Sequence, residues 1–362
     1  MPSSLVIDAV AARLETFLAR MYAESTDYGP EGTLFLDAAR STLTGGKRLR
    51  ARFCHAGWQA ASGPGHDHAR TGLDALWGLC AALEIFQSAA LVHDDLIDNS
   101  DTRRGRPASH RALEAAHRAA GWAGDAEDFG RSSAVLLGDL LVAWSDDLLE
   151  ESLLRHPHAA ATRAEYARMR RDVTVGQMLD ITEESAWSVS PPEALLERAL
   201  RVASLKSARY SVVEPIVLGA TLAGADESLL AALRAFGHPI GMAFQLRDDM
   251  LGVFGDPELT GKPAGDDLRE GKRTALIAVA RERLPEARRA ELDAALGDPA
   301  LSPDDVGALQ RLIRDTGADL RVEEMITGYT AEAETALASP VIEPAAAARL
   351  RVLGEAAITR TT

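Results

Sequence analysis

The sequence has few cysteines, no excess of positive charge and no long apolar run, and each shortage excludes a class of protein. Cys54 and Cys80 are the only cysteines, too few for a disulfide framework or a thiolate metal site, so we expect a reducing compartment. The formal net charge of -15 argues against general attraction to nucleic acid or to anionic membranes, since both need a basic face. Without an uninterrupted run of about 18 apolar residues, we expect no integral membrane association.

Signals for secretion and for β-structure are also scarce. The first 21 residues carry Asp8 and Glu15 among apolar positions, which indicates an amphipathic helix and not a signal peptide. We therefore expect a cytoplasmic protein. Alternating strand patterns rich in β-branched residues are nearly absent. Apolar residues recur three and four positions apart instead, which is the period of an amphipathic helix, so the sequence predicts an all-α fold.

Five breaks interrupt the helical pattern. They fall at residues 61–72, 120–130, 187–193, 254–267 and 298–305. Ser190 precedes a proline pair and Ser302 precedes Pro303 with Asp305 at the third helical position, so both serines are predicted to begin helices. None of the breaks is a long Gly/Ser linker of the kind that separates independent domains. We therefore expect one large helical domain over residues 1–362.

An acidic run followed by a basic run is the first sign of a site, in LVHDDLIDNSDTRRGRP at 91–107. Asp94 and Asp98 are four residues apart, so on a helix they project from one face, one turn apart. Their carboxylates repel each other unless a cation lies between them. Magnesium suits this pair, because it binds one or two carboxylates and takes its remaining ligands from water and substrate phosphate. Asp95 points about 100° away and is expected to orient the site from behind.

The basic run gives the segment a second function. Arg103 and Arg104 carry planar guanidinium groups suited to phosphate oxygens. The alternative is a solvated, acid-rich helix end whose arginines pair with Asp98 and Asp101. The apolar stretch before the aspartates favours a pocket wall over a surface.

A second acid-then-base segment lies at 244–274. Asp248 and Asp249 are predicted to end an apolar helix. An acidic pair at 266–267 lies between lysines and could pair with them. The basic residues that follow the first two aspartates are Lys262, Lys272 and Arg273. Two such segments on separate helices can face each other across a bundle and share metal ions.

A basic cluster lies near the N-terminus, in TGGKRLRARF at 44–53. Gly45 and Gly46 allow close backbone approach, and three basic side chains offer phosphate contacts. These are Lys47, Arg48 and Arg50. The alternative is a helix N-terminus with solvated basic residues. The sequence shows no histidine spacing typical of a zinc site and no sign of a Ser/His/Asp triad.

Taken together, these residues resemble the trans-acting isoprenyl diphosphate synthases, the polyprenyl synthetase family. The matching motifs occur in the family's order: GGKRLR (45–50), DDLID (94–98) followed by RR (103–104), GQMLD (176–180), KS (206–207), QLRDD (245–249) and GKP…GKRT (261–274). The motifs lie within residues 40–280, and residues 281–362 match only in helical character. The resemblance implies one large bundle of antiparallel helices around a central cavity, the isoprenoid synthase fold, in a homodimer.

The activity that the resemblance implies is the head-to-tail condensation of isopentenyl diphosphate with an allylic diphosphate. Three magnesium ions would bind the allylic diphosphate, ligated by Asp94, Asp98 and Asp248. Arg103, Lys206 and Lys262 would add positive charge there. Lys47, Arg50 and Arg104 would hold isopentenyl diphosphate, with Lys272 a further substrate-binding residue. Ser207, Gln245 and Gln177 would line the reacting region.

Three positions depart from the family's pattern. Gly252 stands where the second motif usually ends in a third aspartate, which puts the support of the metal there in doubt. Gln87 replaces a common histidine, but it can still donate a hydrogen bond to phosphate. Ala51 replaces a proline that often follows the GGKRxR motif, a minor change.

The residues before Asp94 suggest a product length. If residues 80–95 form one helix, Ala89 and Ala90 lie one turn below the metals and leave room for about one isoprene unit, about 5.4 Å. Ile85 and Phe86 come next and are bulky. We expect Phe86 to form part of the floor of the cavity and geranylgeranyl diphosphate to be the product, with a farnesyl or slightly longer product as alternatives.

Three other functions are weighed against this one. A class I terpene cyclase also ionises a prenyl diphosphate with an aspartate-rich helix and magnesium, but it would not need the GGKRLR cluster. A non-catalytic regulatory subunit would fit Gly252 and Gln87, yet it has no electrostatic reason to keep the remaining charged cluster. A metal phosphohydrolase built on His93 and Asp94 lacks a companion histidine.

Overall fold

The fold, in a computed structural model that describes residues 3–62, 70–256 and 265–359, is built almost entirely from helices. In these ranges the only strands are β1 (Thr102–Arg103) and β2 (Arg106–Pro107), which pair antiparallel. The all-α prediction is therefore confirmed. The chain divides into two compact units, Met1–His55 with Pro64–Ala159 and Ala56–Gly63 with Ala160–Thr362. The prediction of one domain over 1–362 stays a prediction.

The first unit is built around two long antiparallel helices, α4 and α6. Its helices are α1 (Ser3–Glu24), α2 (Gly29–Thr42), the start of α3 (Leu49–Ser62), α4 (Arg70–Ile97), α5 (Ser109–Ala120) and α6 (Ala126–Ser152). Gly78 lies against Ser152, and His93 lies against Val135, which shows that α4 and α6 run in opposite directions. Each helix buries an apolar stripe completely. Leu76, Leu79, Leu83, Leu137, Leu141 and Leu148 are fully buried in these stripes.

The second unit is arranged around α10. Its elements are α7 (Ala159–Ala186), a 3-10 turn (Pro192–Ala194), α8 (Leu195–Val202), a π-helix (Ala203–Val213), α9 (Glu214–Leu222), α10 (Glu227–Phe254), α11 (Asp266–Glu270), α12 (Ala275–Arg283), α13 (Glu286–Ala295), α14 (Pro303–Asp315), α15 (Ala318–Leu337) and α16 (Pro344–Ile358). α10 packs mainly against α15 and the π-helix. Leu233, Phe236 and Leu246 of α10 are buried.

Local sequence signals located some of the helix ends. All five predicted breaks coincide with the end of one helix or the start of the next. The Ser302 prediction is confirmed, because its hydroxyl accepts the Asp305 N–H while the Asp305 carboxylate accepts the Ser302 N–H. The Ser190 prediction is wrong. Its hydroxyl donates to the Ala186 carbonyl at 2.8 Å and so finishes α7, and the turn that follows has Pro191 at its N-cap.

α4 combines an apolar composition with a length of 28 residues. Residues Gly72–Ile97 are long and apolar enough to cross a membrane, with a mean hydropathy of 1.6. However, 78% of that stretch is buried inside the protein. The core helix of a folded protein has the same composition, so its packing against α6 accounts for the apolar sequence.

His110, near the start of α5, is expected to make stability depend on pH. It is 1% exposed, and neither ring nitrogen has a hydrogen-bond partner among the described residues. Burial lowers its pKa, as do Arg111 and Arg131, against smaller opposing effects of Asp101 and Glu114. The unfolded chain therefore binds this proton more readily than the folded one.

The contribution of His110 to stability should accordingly be constant above the unfolded histidine pKa, about 6.5, and should fall as the pH drops below it. In the variant His110→Phe this part of the pH dependence should disappear. His156 and His238 also have pKa values lowered by burial, so a smaller dependence should remain. Urea midpoints at pH 5.5 and 7.5 measure the effect, and an equal drop in both proteins would contradict it.

Candidate active site

Asp94 and Asp98 lie one helical turn apart at the end of α4. The Asp98 N–H donates to the Asp94 carbonyl at 2.8 Å, which continues the helical hydrogen-bond pattern through Asp98. Both residues are half-buried, and Oδ1 of Asp94 and Oδ2 of Asp98 are buried oxygens. The predicted geometry of this carboxylate pair is therefore present in the structure.

Asp95 lies behind this pair and holds Arg103. Asp95 is 3% exposed, and Arg103 Nε donates to its Oδ1 at 2.8 Å. Arg103 Nη2 also contacts Asp95, and it lies 3.5 Å from Oδ2 of Asp94. The buried carboxylate thus fixes the guanidinium beside the outer aspartate. Asp101, which the alternative interpretation paired with these arginines, accepts from Arg111 Nε at 2.6 Å.

A tight hairpin brings the two basic segments of the first unit together. Arg104 and Gly105 have φ values of 53° and 70°, the conformation of a two-residue hairpin turn, in which glycine is favoured. The hairpin is tied to the end of α2, because Arg106 Nη2 donates to the Thr44 hydroxyl at 3.1 Å. As a result the Arg104 guanidinium lies against Gly46, with Nη1 3.2 Å from the position of a Cβ there.

Positive charge is concentrated at this hairpin. Partial burial lowers the pKa of Arg104, and the charges of Arg48, Arg103 and Arg106 lower it further. The arginines remain protonated but repel one another. Lys47 is exposed and Arg50 is half-buried at the start of α3. A bound anion would relieve the repulsion, so this cluster suits a diphosphate.

Arg48 has a structural role that the sequence did not indicate. Its Nη1 lies 3.1 Å from Glu84 Oε2, and its Nη2 donates to the Leu43 carbonyl at 2.5 Å. The prediction that Arg48 offers a phosphate contact is therefore corrected: its guanidinium is used inside the unit. Glu84 also accepts the Ala51 N–H at 3.4 Å. Glu84 was missed, although a glutamate inside the apolar run LCAALEIFQ is a signal for such a pair.

The face of α4 below the aspartates is graded from open to closed. Asp94 and Ala90 are half-buried, whereas Phe86, one turn further back, is 6% exposed. Ile85 and Ala89 are fully buried, so they face the packed interior. The accessible line of α4, by which we mean the half-buried positions 94 and 90, therefore ends at the Phe86 ring. Gln87 is half-buried on the same helix.

The second aspartate segment lies in α10 of the second unit. The prediction that Asp248 and Asp249 end their helix is wrong, since α10 continues to Phe254. Asp248 is half-buried, and Asp249 is buried and accepts from Gln245 Nε2 at 2.6 Å. Burial raises the pKa of Asp249 well above its usual value, and the Asp267 charge raises it further. Carboxylates are thus crowded here, which favours a cation.

Lys206 and Ser207 lie in the π-helix, a rare conformation that is frequent at functional sites. The Glu214 N–H donates to the Arg209 carbonyl, five residues back. Two close approaches hold this segment. A Cβ at Gly176 of α7 would lie 2.5 Å from the backbone nitrogen of Lys206. A Cβ at Gly241 of α10 would lie 2.5 Å from the Ala208 carbonyl oxygen.

Charged residues of α7 lie beside Lys206. Lys206 Nζ donates to Asp180 Oδ2 at 2.5 Å. One turn later, Glu184 was missed by the sequence reasoning; burial raises its pKa, and its positive neighbours are Arg273, Lys206 and Lys272. Gln177, on the same helix, is half-buried, and its buried Nε2 has no hydrogen-bond partner among the described residues. It therefore suits a substrate oxygen.

The remaining predicted residues differ in how far the structure describes them. Lys272 Nζ lies 2.5 Å from Glu270 Oε2 and 3.6 Å from Asp267 Oδ1. The expected pairing of the 266–267 acidic pair with a lysine is thus confirmed for Asp267. Lys262 lies outside the described residues.

The residues present fit magnesium. Asp94 and Asp98 offer hard oxygen ligands from one face, the donor set that magnesium uses when phosphate completes its shell. Over residues 3–62, 70–256 and 265–359, no group of three or more His, Cys, Asp or Glu side chains is arranged to hold an ion.

The whole described fold is shared with prenyl synthases of known structure. A geranylgeranyl pyrophosphate synthase from Corynebacterium glutamicum, whose crystal structure contains isoprenyl diphosphate and magnesium, is 41% identical with a TM-score of 0.93; the match covers 99% of this chain and 100% of that one. The protein thus has the all-α isoprenoid synthase fold.

Sequence comparison leads to the same class. A geranylgeranyl diphosphate synthase from Mycobacterium tuberculosis is 32% identical over 314 residues, 84% of this chain and 80% of that protein. A geranylfarnesyl diphosphate synthase from Aeropyrum pernix is 31% identical over 243 residues, 66% of this chain and 68% of that protein. The polyprenyl synthetase family model matches residues 33–313. The chain belongs to the polyprenyl synthetase family, and the predicted class of trans-isoprenyl diphosphate synthases is confirmed.

Proposed function

We propose that this protein is a magnesium-dependent prenyltransferase that condenses isopentenyl diphosphate with allylic diphosphates, head to tail, and that its main product is geranylgeranyl diphosphate. The observation that carries the proposal is the carboxylate pair Asp94 and Asp98 on α4, together with the accessible line of that helix, which ends at Phe86. The basic cluster at Arg104 and Gly46 in the same unit supplies a place for a second diphosphate.

The allylic diphosphate is the group that the aspartates are proposed to hold. Asp94, Asp98 and Asp248 would ligate magnesium, three ions in all. When bound, magnesium neutralises the diphosphate charge that develops as the allylic carbon–oxygen bond breaks. Lys206 and Lys262 would add positive charge at the same group, and Arg103, fixed by Asp95, would stabilise it from α4's side.

Isopentenyl diphosphate is proposed to bind at the hairpin cluster of Lys47, Arg50 and Arg104. The double bond of this substrate attacks the allylic carbon as the diphosphate leaves. A proton is then lost from the new chain, and the departing diphosphate is the proposed acceptor. Ser207, Gln177 and Gln245 would line the reacting region, with Gln87 and Lys272 as further diphosphate contacts. The apolar wall of α4 keeps water away from the cationic centre.

Two competing functions are less well supported. A terpene cyclase handles one diphosphate and gives no reason for the arginines gathered at Gly46. A non-catalytic subunit gives no reason for the crowded carboxylates of α10. One assay separates the two alternatives, because a cyclase gives cyclic hydrocarbons and a non-catalytic subunit gives no product.

The test is to incubate the purified protein with magnesium, isopentenyl diphosphate and the five-, ten- or fifteen-carbon allylic diphosphate. Products are identified by mass spectrometry. We expect linear diphosphates with twenty carbons as the main species, and no products when EDTA removes magnesium. Cyclic hydrocarbons would favour the cyclase, and a lack of turnover with all three primers would overturn the proposal.

We also propose a homodimer in the cytoplasm. α6 exposes two adjacent apolar side chains, Val135 at 44% and Leu136 at 60%, which suits contact with a second copy. Both cysteines are free and buried, as expected in a reducing compartment. Light scattering should give twice the 38.6 kDa of one chain, and a single-chain mass would exclude the dimer.

A further inference from the structure

The space beside Gly252 is filled by a side chain from another helix. It lies one turn after Asp248 on α10, at the position where the family's second motif usually carries a third aspartate. A Cβ built at Gly252 would lie 2.0 Å from Oδ2 and 2.3 Å from Cγ of Asp267. The Asp267 carboxylate therefore fills the space that a side chain at position 252 would need.

The local structure holds Asp267 in that place. Asp267 lies in the first turn of α11, whose Leu268 is fully buried. The Asp267 carbonyl accepts the Lys272 N–H at 3.0 Å, and the Leu268 carbonyl accepts the Gly297 N–H at 2.9 Å. The Asp267 side chain is 12% exposed. These two bonds fix the backbone at Asp267 and Leu268, and the half-buried carboxylate of Asp267 is therefore held next to α10.

The same carboxylate lies in the electrostatic field of the aspartates of α10. Burial raises the pKa of Asp249, and the charge of Asp267 raises it further. The partial counter-charge comes from Lys272, whose Nζ is 3.6 Å from Asp267 Oδ1 and 2.5 Å from Glu270. Keeping a further carboxylate beside two others costs free energy unless a cation offsets it.

We propose that Asp267 is a positioning residue that supplies from α11 the carboxylate which the second aspartate motif lacks at Gly252. Its role is to accept hydrogen bonds from the water shell of the magnesium held at Asp248, as outer carboxylates do at metal sites. The proposal rests on the proposed function. It explains how this chain keeps a working second motif although its third aspartate is a glycine.

Exchange of the carboxylate between the two positions tests the proposal. Asp267→Ala should raise the magnesium concentration for half-maximal elongation by about 10- to 100-fold, the usual cost of losing an outer partner of a metal ligand. Adding Gly252→Asp to Asp267→Ala should recover most of the loss, because the new side chain enters the emptied space. Gly252→Asp alone should lower the melting temperature, since its Cβ would meet Asp267.

A second readout does not depend on turnover. Magnesium with inorganic pyrophosphate should raise the melting temperature of the unaltered protein, less so for Asp267→Ala, and again fully for the double variant. The matched control is Asp266→Ala, which removes the neighbouring carboxylate of α11 and should leave both readouts unchanged.

The outcomes separate this proposal from the proposed function. If the unaltered protein elongates but Asp267→Ala keeps its magnesium dependence and its pyrophosphate shift, the positioning role is overturned. The role is also overturned if Gly252→Asp gives no rescue while Asp267→Ala is folded. If the unaltered protein does not elongate, the proposed function fails, and the pyrophosphate shift still decides whether Asp267 acts on the metal.

Discussion

Replacing Asp94 by asparagine should lower kcat/KM for elongation by about 10²–10³-fold, the cost of losing one electrostatic contact to a developing charge. Asparagine keeps the size of the side chain but removes the negative charge that would hold magnesium. Stability should change little, because the loss of the like-charge repulsion with Asp98, worth a few tenths of a kcal/mol, offsets the loss of the ion pair with Arg103 at 3.5 Å. Initial rates at saturating magnesium, together with melting temperatures, measure both effects.

The control for this variant is Asp147→Asn. Asp147 is an exposed carboxylate on α6 of the same unit, and the proposed site makes no use of it. Its replacement should leave kcat/KM unchanged. If Asp94→Asn retained activity within about threefold of the unaltered protein, an effect well short of that of a lost electrostatic contact, Asp94 would not be a metal ligand.

Replacing Phe86 by alanine should lengthen the product by one or more five-carbon units. Phe86 is 6% exposed and closes the accessible line of α4 that runs below Asp94. Removing the ring opens about one further helical turn, about 5.4 Å. Mass spectrometry of the products after exhaustive elongation measures the length. The substitution also leaves a cavity, so a loss of about 3–5 kcal/mol in the free energy of unfolding is expected.

A matched control separates the floor from general loosening of the core. Ile85 is fully buried next to Phe86 but lies on the packed side of α4, so Ile85→Ala should destabilise the protein without changing the product length. In the opposite direction, Ala90→Phe should block the line one turn earlier and shorten the product. An unchanged product from both Phe86→Ala and Ala90→Phe would place the floor elsewhere.

Patterns that depend on neighbours in the chain were readable from the sequence. The spacing of Asp94 and Asp98 fixed their common face, because the helical period sets which side chains align. The cap at Ser302 followed from side-chain and backbone groups three residues apart. The all-α fold followed from the apolar period, and the order of the motifs identified the family.

The sequence misjudged residues whose partners are distant along the chain. Arg48 looked like a phosphate contact, but Glu84, 36 residues away, takes its guanidinium. Asp248 and Asp249 looked like a helix end, because they interrupt an apolar stretch, yet α10 continues to Phe254. A local pattern cannot reveal such partners, since a charge gives no sign of which opposite charge it will meet.

By itself, then, the sequence determined the helices, the motif order and the family, all of which depend on spacing along one chain. Tertiary structure decided where the chain departs from local rules. The π-helix at Lys206 exists between the close approaches at Gly176 and Gly241. Asp267 reaches the empty position at Gly252 because α11 folds back onto α10. Both features depend on which backbones come within a few ångströms of each other, and only packing in three dimensions sets that.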